Sequence, residues 1–451
     1  MCFHKESWRQ YAYKLKRLRS ILYEGLGLKF SFSNSRSCRT VVSTPNARKG
    51  HAMKFVNLGS DIAPIFQPKR ALILTKMTRY EYEKKKCQSR GALEEQDLKN
   101  YLESKQSDYH GLLERHNGHF KALRTIKQHL VSSGIKTQVV DRWQFGNKGI
   151  EWADVVFSAG GDGTFLLAAS KVKNKNKPLI GLNTDPVRSE GYLCLPKIRY
   201  SAINFDQALK RLLSAEFRWK WRQRIRITMS GQHDNEEPIE LHDQQLKFPE
   251  HRFSEHIGEN EEMRYPVIIS QNNRRERVLP VLALNEVFIG ESLSSRVSYY
   301  ELKCDDKPSY KQKSSGLTVC TGTGSSSWFF HINHLDKGGV KEILRIGSEL
   351  TGQQFPVEDN ETLEKITQTF NNSLRFDSSE PYMAYTIRDP VVNAVYKVDK
   401  PRDFAKRIII RSRMWDSSLV IDGGLSFKFN DGAVATLEIF EEDALRTVSF
   451  D

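Results

Sequence analysis

The spacing of apolar residues changes once along the chain, near residue 200. Before that point, short apolar runs alternate with longer segments whose apolar residues recur every three or four positions. The runs are Arg70–Thr75, Lys136–Val140, Trp152–Ser158 and Pro178–Asn183. Between the first two, residues 92–132 place Leu98, Leu102, Leu112, Leu113, Phe120, Leu123, Ile126 and Leu130 at helical spacing, and Gly134 follows as a natural stop. A further helix is expected from Thr164 to Lys171. Strands alternating with helices predict a parallel sheet covered on both faces. After a connecting helix at Ala208–Phe217 the period falls to two, as in Trp219/Trp221, Ile225/Ile227, Leu317/Val319, Ile408/Ile410, Leu419/Ile421 and Phe427/Phe429. That pattern predicts an antiparallel, all-β second half. The expected fold class is therefore α/β, a Rossmann-like N-terminal domain followed by a sandwich-like C-terminal domain.

The expected boundaries are 68–200 for the α/β domain and 201–430 for the β-rich domain. The latter holds a polar insertion at 231–277 and a partly helical stretch at 351–380, and residues 431–451 are expected to return to the first domain. Charge adds a leader. Of the formal +14, the first 50 residues carry +9, with Trp8, Tyr11, Leu15, Leu18 and Leu22 set between Lys5, Arg9, Lys14, Lys16, Arg17 and Arg19. A basic, amphipathic, serine-rich and acid-poor leader at 1–50 has the composition of a mitochondrial transit peptide; a disordered basic arm is the plainer alternative. The remaining +5 is too dilute for a nucleic-acid-binding face. No apolar run approaches the roughly 18 residues that span a bilayer, so no membrane partner is expected. Six scattered cysteines without paired spacing point to neither a disulfide framework nor a metal site.

Four motifs carry candidate chemistry. Gly160-Gly161-Asp162-Gly163-Thr164 follows a strand and opens a helix. Glycines admit close approach of a ligand, and a helix N-terminus favours phosphate. Asp162 is the one acid among those donors and suits proton abstraction from a hydroxyl. Asn285-Glu286 sets an amide beside a carboxylate, able to read a base edge and hold ribose hydroxyls. Thr321–Trp328 is a hydroxyl-rich loop beside an aromatic ring, with Thr323, Gly324, Ser325, Ser326, Ser327 and Trp328 as candidate contacts. Asp422 precedes Gly423-Gly424 at a strand end. Taken singly, each also reads as an ordinary turn, loop or hairpin.

In this order the motifs resemble the NAD kinase family, and specifically its mitochondrial branch. The resemblance covers about 68–200, 278–345 and 405–451, and the segments 181–196 and 313–317 and Trp415-Asp416 are what resemble that branch. It implies transfer of the γ-phosphoryl group of ATP to the 2′-hydroxyl of the adenosine ribose of NAD, with Asp162 as general base. Gly160, Gly161, Gly163 and Thr164 would serve the phosphates. Asn183, Tyr192, Asn285, Glu286, the 323–328 loop and Asp422 would serve the nucleotides. Mg²⁺ would arrive with ATP rather than on a protein site. A homodimer in the mitochondrial matrix is also implied. The chain departs from the family pattern at Gly322, where proline is usual, at Ser315, where aspartate is usual, and at Asp185, where glycine is usual. Two rivals share parts of this signature: a lipid kinase built on the same glycine loop, whose Gly-Thr-x-Asn-Asp stretch is missing here, and a catalytically lapsed NAD-binding module.

Overall fold

The computed structural model describes residues 65–88, 94–247, 276–398 and 400–450. The expected leader, and residues 248–275 of the insertion, lie outside them. Strands β1 (Arg70–Thr75), β2 (Lys136–Val140), β3 (Val155–Gly160) and β4 (Leu179–Asn183) form a parallel sheet in the order β2-β1-β3-β4. β3 and β4 are buried on both faces, as parallel strands under helices must be. On one face Ile73, Phe157 and Ile180 pack with Leu123, Ile126 and Leu130 of the helix Tyr109–Ser132. On the other, Leu72, Val156 and Leu179 pack with Phe165 and Ala168 of the helix Asp162–Lys171.

The helix start lies two residues earlier than its apolar pattern predicts. Gly161 is the N-cap and Asp162 the first helical residue, because an acid in the first turn complements the helix dipole. Trp152 likewise ends a short helix, Asn147–Trp152, rather than starting β3.

The second half is a sandwich. Its six-stranded sheet, in the order β11-β10-β15-β18-β6-β8, comprises β6 (Ile225–Gly231), β8 (Glu276–Val278), β10 (Ser298–Cys304), β11 (Tyr310–Ser314), β15 (Arg407–Ser412) and β18 (Ala433–Ile439). The seven-stranded sheet, in the order β14-β13-β12-β9-β16-β17-β7, comprises β7 (Ile239–Glu240), β9 (Glu286–Glu291), β12 (Leu317–Cys320), β13 (Met383–Ile387), β14 (Arg402–Ala405), β16 (Ser417–Ile421) and β17 (Leu425–Lys428). Alternate residues such as Ile227, Leu302 and Leu437 from one sheet meet Ile289, Val319 and Leu419 from the other in a single core.

Two segments cross the expected boundaries. β5 (Arg218–Arg222) has strand alternation but stands outside the sandwich, pairing with β19 (Leu445–Ser449). Trp219, Val448 and Phe450 pack on the α/β core. Within 431–451, β18 stays in the sandwich and only the last stretch returns. The polar insertion also begins as ordered structure, with β7 added to the edge of the larger sheet and a helix at Leu241–Lys247. Helix Lys337–Thr351 and residues 360–369 form a separate unit around Val340, Leu344 and Leu363.

Candidate functional site

β3 and β4 end side by side, and their carboxyl ends carry the glycine turn and the Asn183 loop, the place where open α/β sheets bind ligands. Each glycine of the turn serves differently. A Cβ on Gly160 would lie 2.3 Å from Thr164 Oγ1, and one on Gly161 would lie 2.9 Å from Ser189 Oγ. One on Gly163 would meet nothing within 4 Å. The Asp162 carboxylate is held by two backbone donors, Tyr192 N–H at 3.1 Å and Leu193 N–H at 2.8 Å. Each oxygen therefore keeps lone-pair capacity for a hydroxyl. The neighbouring Cys194 thiol is pushed up to about 12 by burial and by the Asp162 charge, so it is inert at neutral pH.

Asn183 and Tyr192 serve this turn through shape. The Asn183 amide donates to Ser189 O and accepts from Asp185 N–H, which closes the 184–189 loop. Tyr192 contributes its backbone N–H while the residue as a whole is 78% exposed.

The amide–acid pair is suspended from Asp422. That carboxylate accepts the N–H groups of Leu284, Asn285 and Glu286. Burial still raises its pKa to about 6, outweighing the three donors. Glu286 is raised to about 8, first by burial and then by the Asp422 charge. Among the described residues, Asn285 Oδ1 and Glu286 Oε2 are buried without a hydrogen-bond partner. Such orphaned atoms are costly unless a ligand uses them.

The 321–328 loop locks onto the same strand end. Thr321 donates its backbone N–H to Asn285 O and its hydroxyl to Leu284 O, and Asn285 Nδ2 donates to Ser327 Oγ. A Cβ on Gly324 would stand 2.0 Å from Asn285 O, so only glycine fits. Ser325 turns inward and donates to Gly322 O, while the exposed Ser326 donates to Thr323 O. Trp328 is half-exposed and meets the Phe288 ring edge-on at 5.9 Å.

One residue absent from the sequence motifs joins these parts. Arg222, at the end of β5, donates to Thr323 Oγ1 at 3.3 Å, and among the described residues its buried Nε has no hydrogen-bond partner. Burial lowers its pKa, against the opposing charges of Asp377 and Asp162. The only sequence signal was its place in the aromatic-basic run Arg218–Arg222. A cavity of about 390 Å³ lies against the glycine turn, lined by Gly161, Gly163, Thr164 and the Asp422–Leu425 turn, with Lys76, Arg142, Glu240 and His242. The structure thus joins Asn285, Glu286, the 321–327 loop and Asp422 by hydrogen bonds, and Asp422 to the glycine turn through one cavity.

No family model matches the chain. Among curated proteins it is 45% identical over 400 residues to "NAD kinase 2, mitochondrial" of Homo sapiens, spanning 89% of this chain and 88% of that protein. The corresponding rat protein is 46% identical over 383 residues, covering 85% of this chain and 88% of its own length. That of Xenopus tropicalis is 43% identical over 402 residues, covering 86% and 92%.

Proposed function

The chain belongs to the mitochondrial NAD kinase family, and we propose that it transfers the terminal phosphoryl group of ATP to the 2′-hydroxyl of the adenosine ribose of NAD. The products are NADP and ADP. Asn285 and Glu286 hold the acceptor nucleotide, their orphaned oxygens taking hydrogen bonds from its amine and ribose hydroxyls, with Thr323, Ser327 and Trp328 beside them. Asp162 accepts the proton of the attacking hydroxyl as the new oxygen–phosphorus bond forms and the bond to ADP breaks. A positioned base of this kind contributes roughly 10²–10⁴-fold in rate. The donor enters as its Mg²⁺ complex, the ion offsetting charge on the phosphates. Arg222 and the N-terminus of the glycine helix supply fixed positive charge near the transferring group.

The observation that supports this reading most is the Asp162 carboxylate. Two amides fix its orientation, and it stands at the sheet end that also bears the cavity wall. A homodimer belongs to the same proposal, because Tyr192 and Trp328 stand exposed beside the site, ready for a second copy to cover. So does residence in the mitochondrial matrix, which the basic leader composition favours. The test is incubation of purified protein with NAD and Mg²⁺–ATP, read by an NADP-specific dehydrogenase. NADP formation is expected. Phosphorylation of diacylglycerol in place of NAD, or NAD binding with no ATP-dependent product, would overturn the reading.

A further inference from the structure

We propose that the folded start of the polar insertion, residues 239–247, is a wall of the donor-nucleotide site, and that Arg142, through its ion pairs with Glu240 and Asp243, neutralises the charge this wall brings to the site. This rests on the reading that the phosphoryl donor binds at the glycine turn.

The cavity beside that turn is built from both halves of the chain. Gly161, Gly163 and Thr164 form one side, the Asp422–Leu425 turn another, and Glu240 and His242 of the insertion close it. The insertion is lightly attached there. β7 pairs with β17 over only two residues, Leu425 with Glu240 and Ser426 with Ile239, and Leu241 N–H adds a bond to Gly424 O. His242 packs on the Tyr82 ring at 5.3 Å. A further attachment is Arg142, which follows β2 in the α/β half. Its guanidinium pairs with Glu240 at 2.6 Å and with Asp243 at 3.2 Å, and its side chain is 13% exposed.

Charge makes this pairing matter for the ligand. Glu240 and Asp243 are two half-buried carboxylates at or beside a cavity meant for a triphosphate, itself strongly anionic. Lys171, whose Nζ is hydrogen-bonded to Phe145 O, senses both carboxylates, and His242 senses Asp243. Arg142 is the group that forms ion pairs with both carboxylates. Without it, Glu240 in the cavity wall and Asp243 beside it would lose their ion pairs, and at low effective dielectric their negative charge would repel the donor phosphates strongly. The hydrogen bonds that join Asp422, Asn285 and the 321–327 loop on the acceptor side do not involve Arg142.

Binding of a non-hydrolysable ATP analogue and of NAD, each measured by calorimetry, tests this without requiring turnover. Arg142→Ala is expected to weaken the ATP analogue at least tenfold and to leave NAD affinity within twofold. Adding Glu240→Gln and Asp243→Asn to that variant is expected to restore most of the loss, which a purely structural contribution of Arg142 would not allow. Glu240→Gln with Asp243→Asn alone, which removes both carboxylate charges and keeps the guanidinium of a residue that lines the cavity, is expected to tighten the analogue. Equal losses for both nucleotides, no rescue in the triple variant, or unchanged analogue affinity in the double variant would each overturn the proposal. A wild-type protein that binds the analogue yet makes no NADP would overturn the functional reading and leave this result standing.

Discussion

Asp422 Oδ1 accepts the backbone N–H of Asn285 at 2.8 Å and that of Glu286 at 3.0 Å, while its Oδ2 takes Leu284 at 2.8 Å. A side chain on one strand turn thus fixes the backbone that presents the amide–acid pair, 137 residues away in sequence. Asp422 itself sits at φ 48, a left-handed conformation that short polar side chains tolerate. Asp422→Asn leaves one acceptor oxygen and turns an amide NH₂ toward a backbone donor. Leaving a buried donor unpaired costs about 1–3 kcal/mol. The expected outcome is a KM for NAD raised roughly tenfold, since about 1.4 kcal/mol is a factor of ten, with a lowered melting temperature. Steady-state kinetics with NAD varied at saturating ATP checks the first effect.

Asp162→Asn keeps side-chain volume and one oxygen acceptor but cannot take up a proton. NADP formation is expected to fall at least a hundredfold, in line with loss of a general base, while NAD binding remains measurable by calorimetry. Turnover near that of the wild type would remove Asp162 from the base role.

Glu286 ties acceptor binding to pH. With its pKa raised to about 8 by burial and by Asp422, it is mostly protonated at pH 7 in the free protein. Ribose hydroxyls donating to it favour the carboxylate, so bound NAD lowers that pKa and binding releases a proton. NAD affinity is therefore expected to rise from pH 6 to about 8 and then level off. The sign for folding is opposite. A carboxyl raised above its ordinary value of 4.5 stabilises most below that value, and the contribution is lost as pH rises through 8. Calorimetry in buffers of different ionisation enthalpy counts the released proton. Glu286→Gln is expected to abolish it.

The fold class was legible in the sequence because the period of apolar residues is a local property. Three things were not legible. Alternation of Trp219 and Trp221 identifies a strand but not its partner; β5 left the sandwich because β19 offered pairing beside the α/β core, a contact between distant segments. The polar residues 239–247 lack an apolar period, yet an ion pair with Arg142 and a two-residue edge pairing order them. Asn183 and Ser325 look like ligand-binding polar groups, and the structure commits both to backbone partners. Polar residue type alone does not tell a ligand contact from a loop closure.

His119 makes the fold acid-sensitive. It is buried between Thr75 Oγ1 at 2.8 Å and Thr184 Oγ1 at 3.0 Å, joining the ends of β1 and β4. Burial, with Lys76 and His116 nearby, lowers its pKa to about 3. Its neutral form is thus fully present above the ordinary value of 6.5, and the associated stability is lost as pH falls from there toward 3, by up to about 1.4 kcal/mol per unit. Urea unfolding midpoints are expected to drop between pH 6.5 and 4. A shallower drop is expected in His119→Gln, and an equal slope in the two proteins would clear His119 of the effect.

Gly163→Ala separates donor binding from folding. A Cβ there meets no atom within 4 Å, and the residue lies in the first turn of a helix, where alanine is the better helix former by up to about 1 kcal/mol. The melting temperature should hold or rise. Gly163 also lines the cavity, so the added methyl group occupies space the donor phosphates need beside the helix N-terminus. Affinity for a non-hydrolysable ATP analogue is expected to fall about tenfold, roughly 1.4 kcal/mol, with NAD affinity unchanged. Gly324→Ala is the contrasting case, since its Cβ would strike Asn285 O and reduce stability and NAD binding together. Thermal unfolding and titration of both nucleotides on the two variants give six numbers, and the assignment of the cavity to the donor requires Gly163→Ala to lower only its affinity for the ATP analogue.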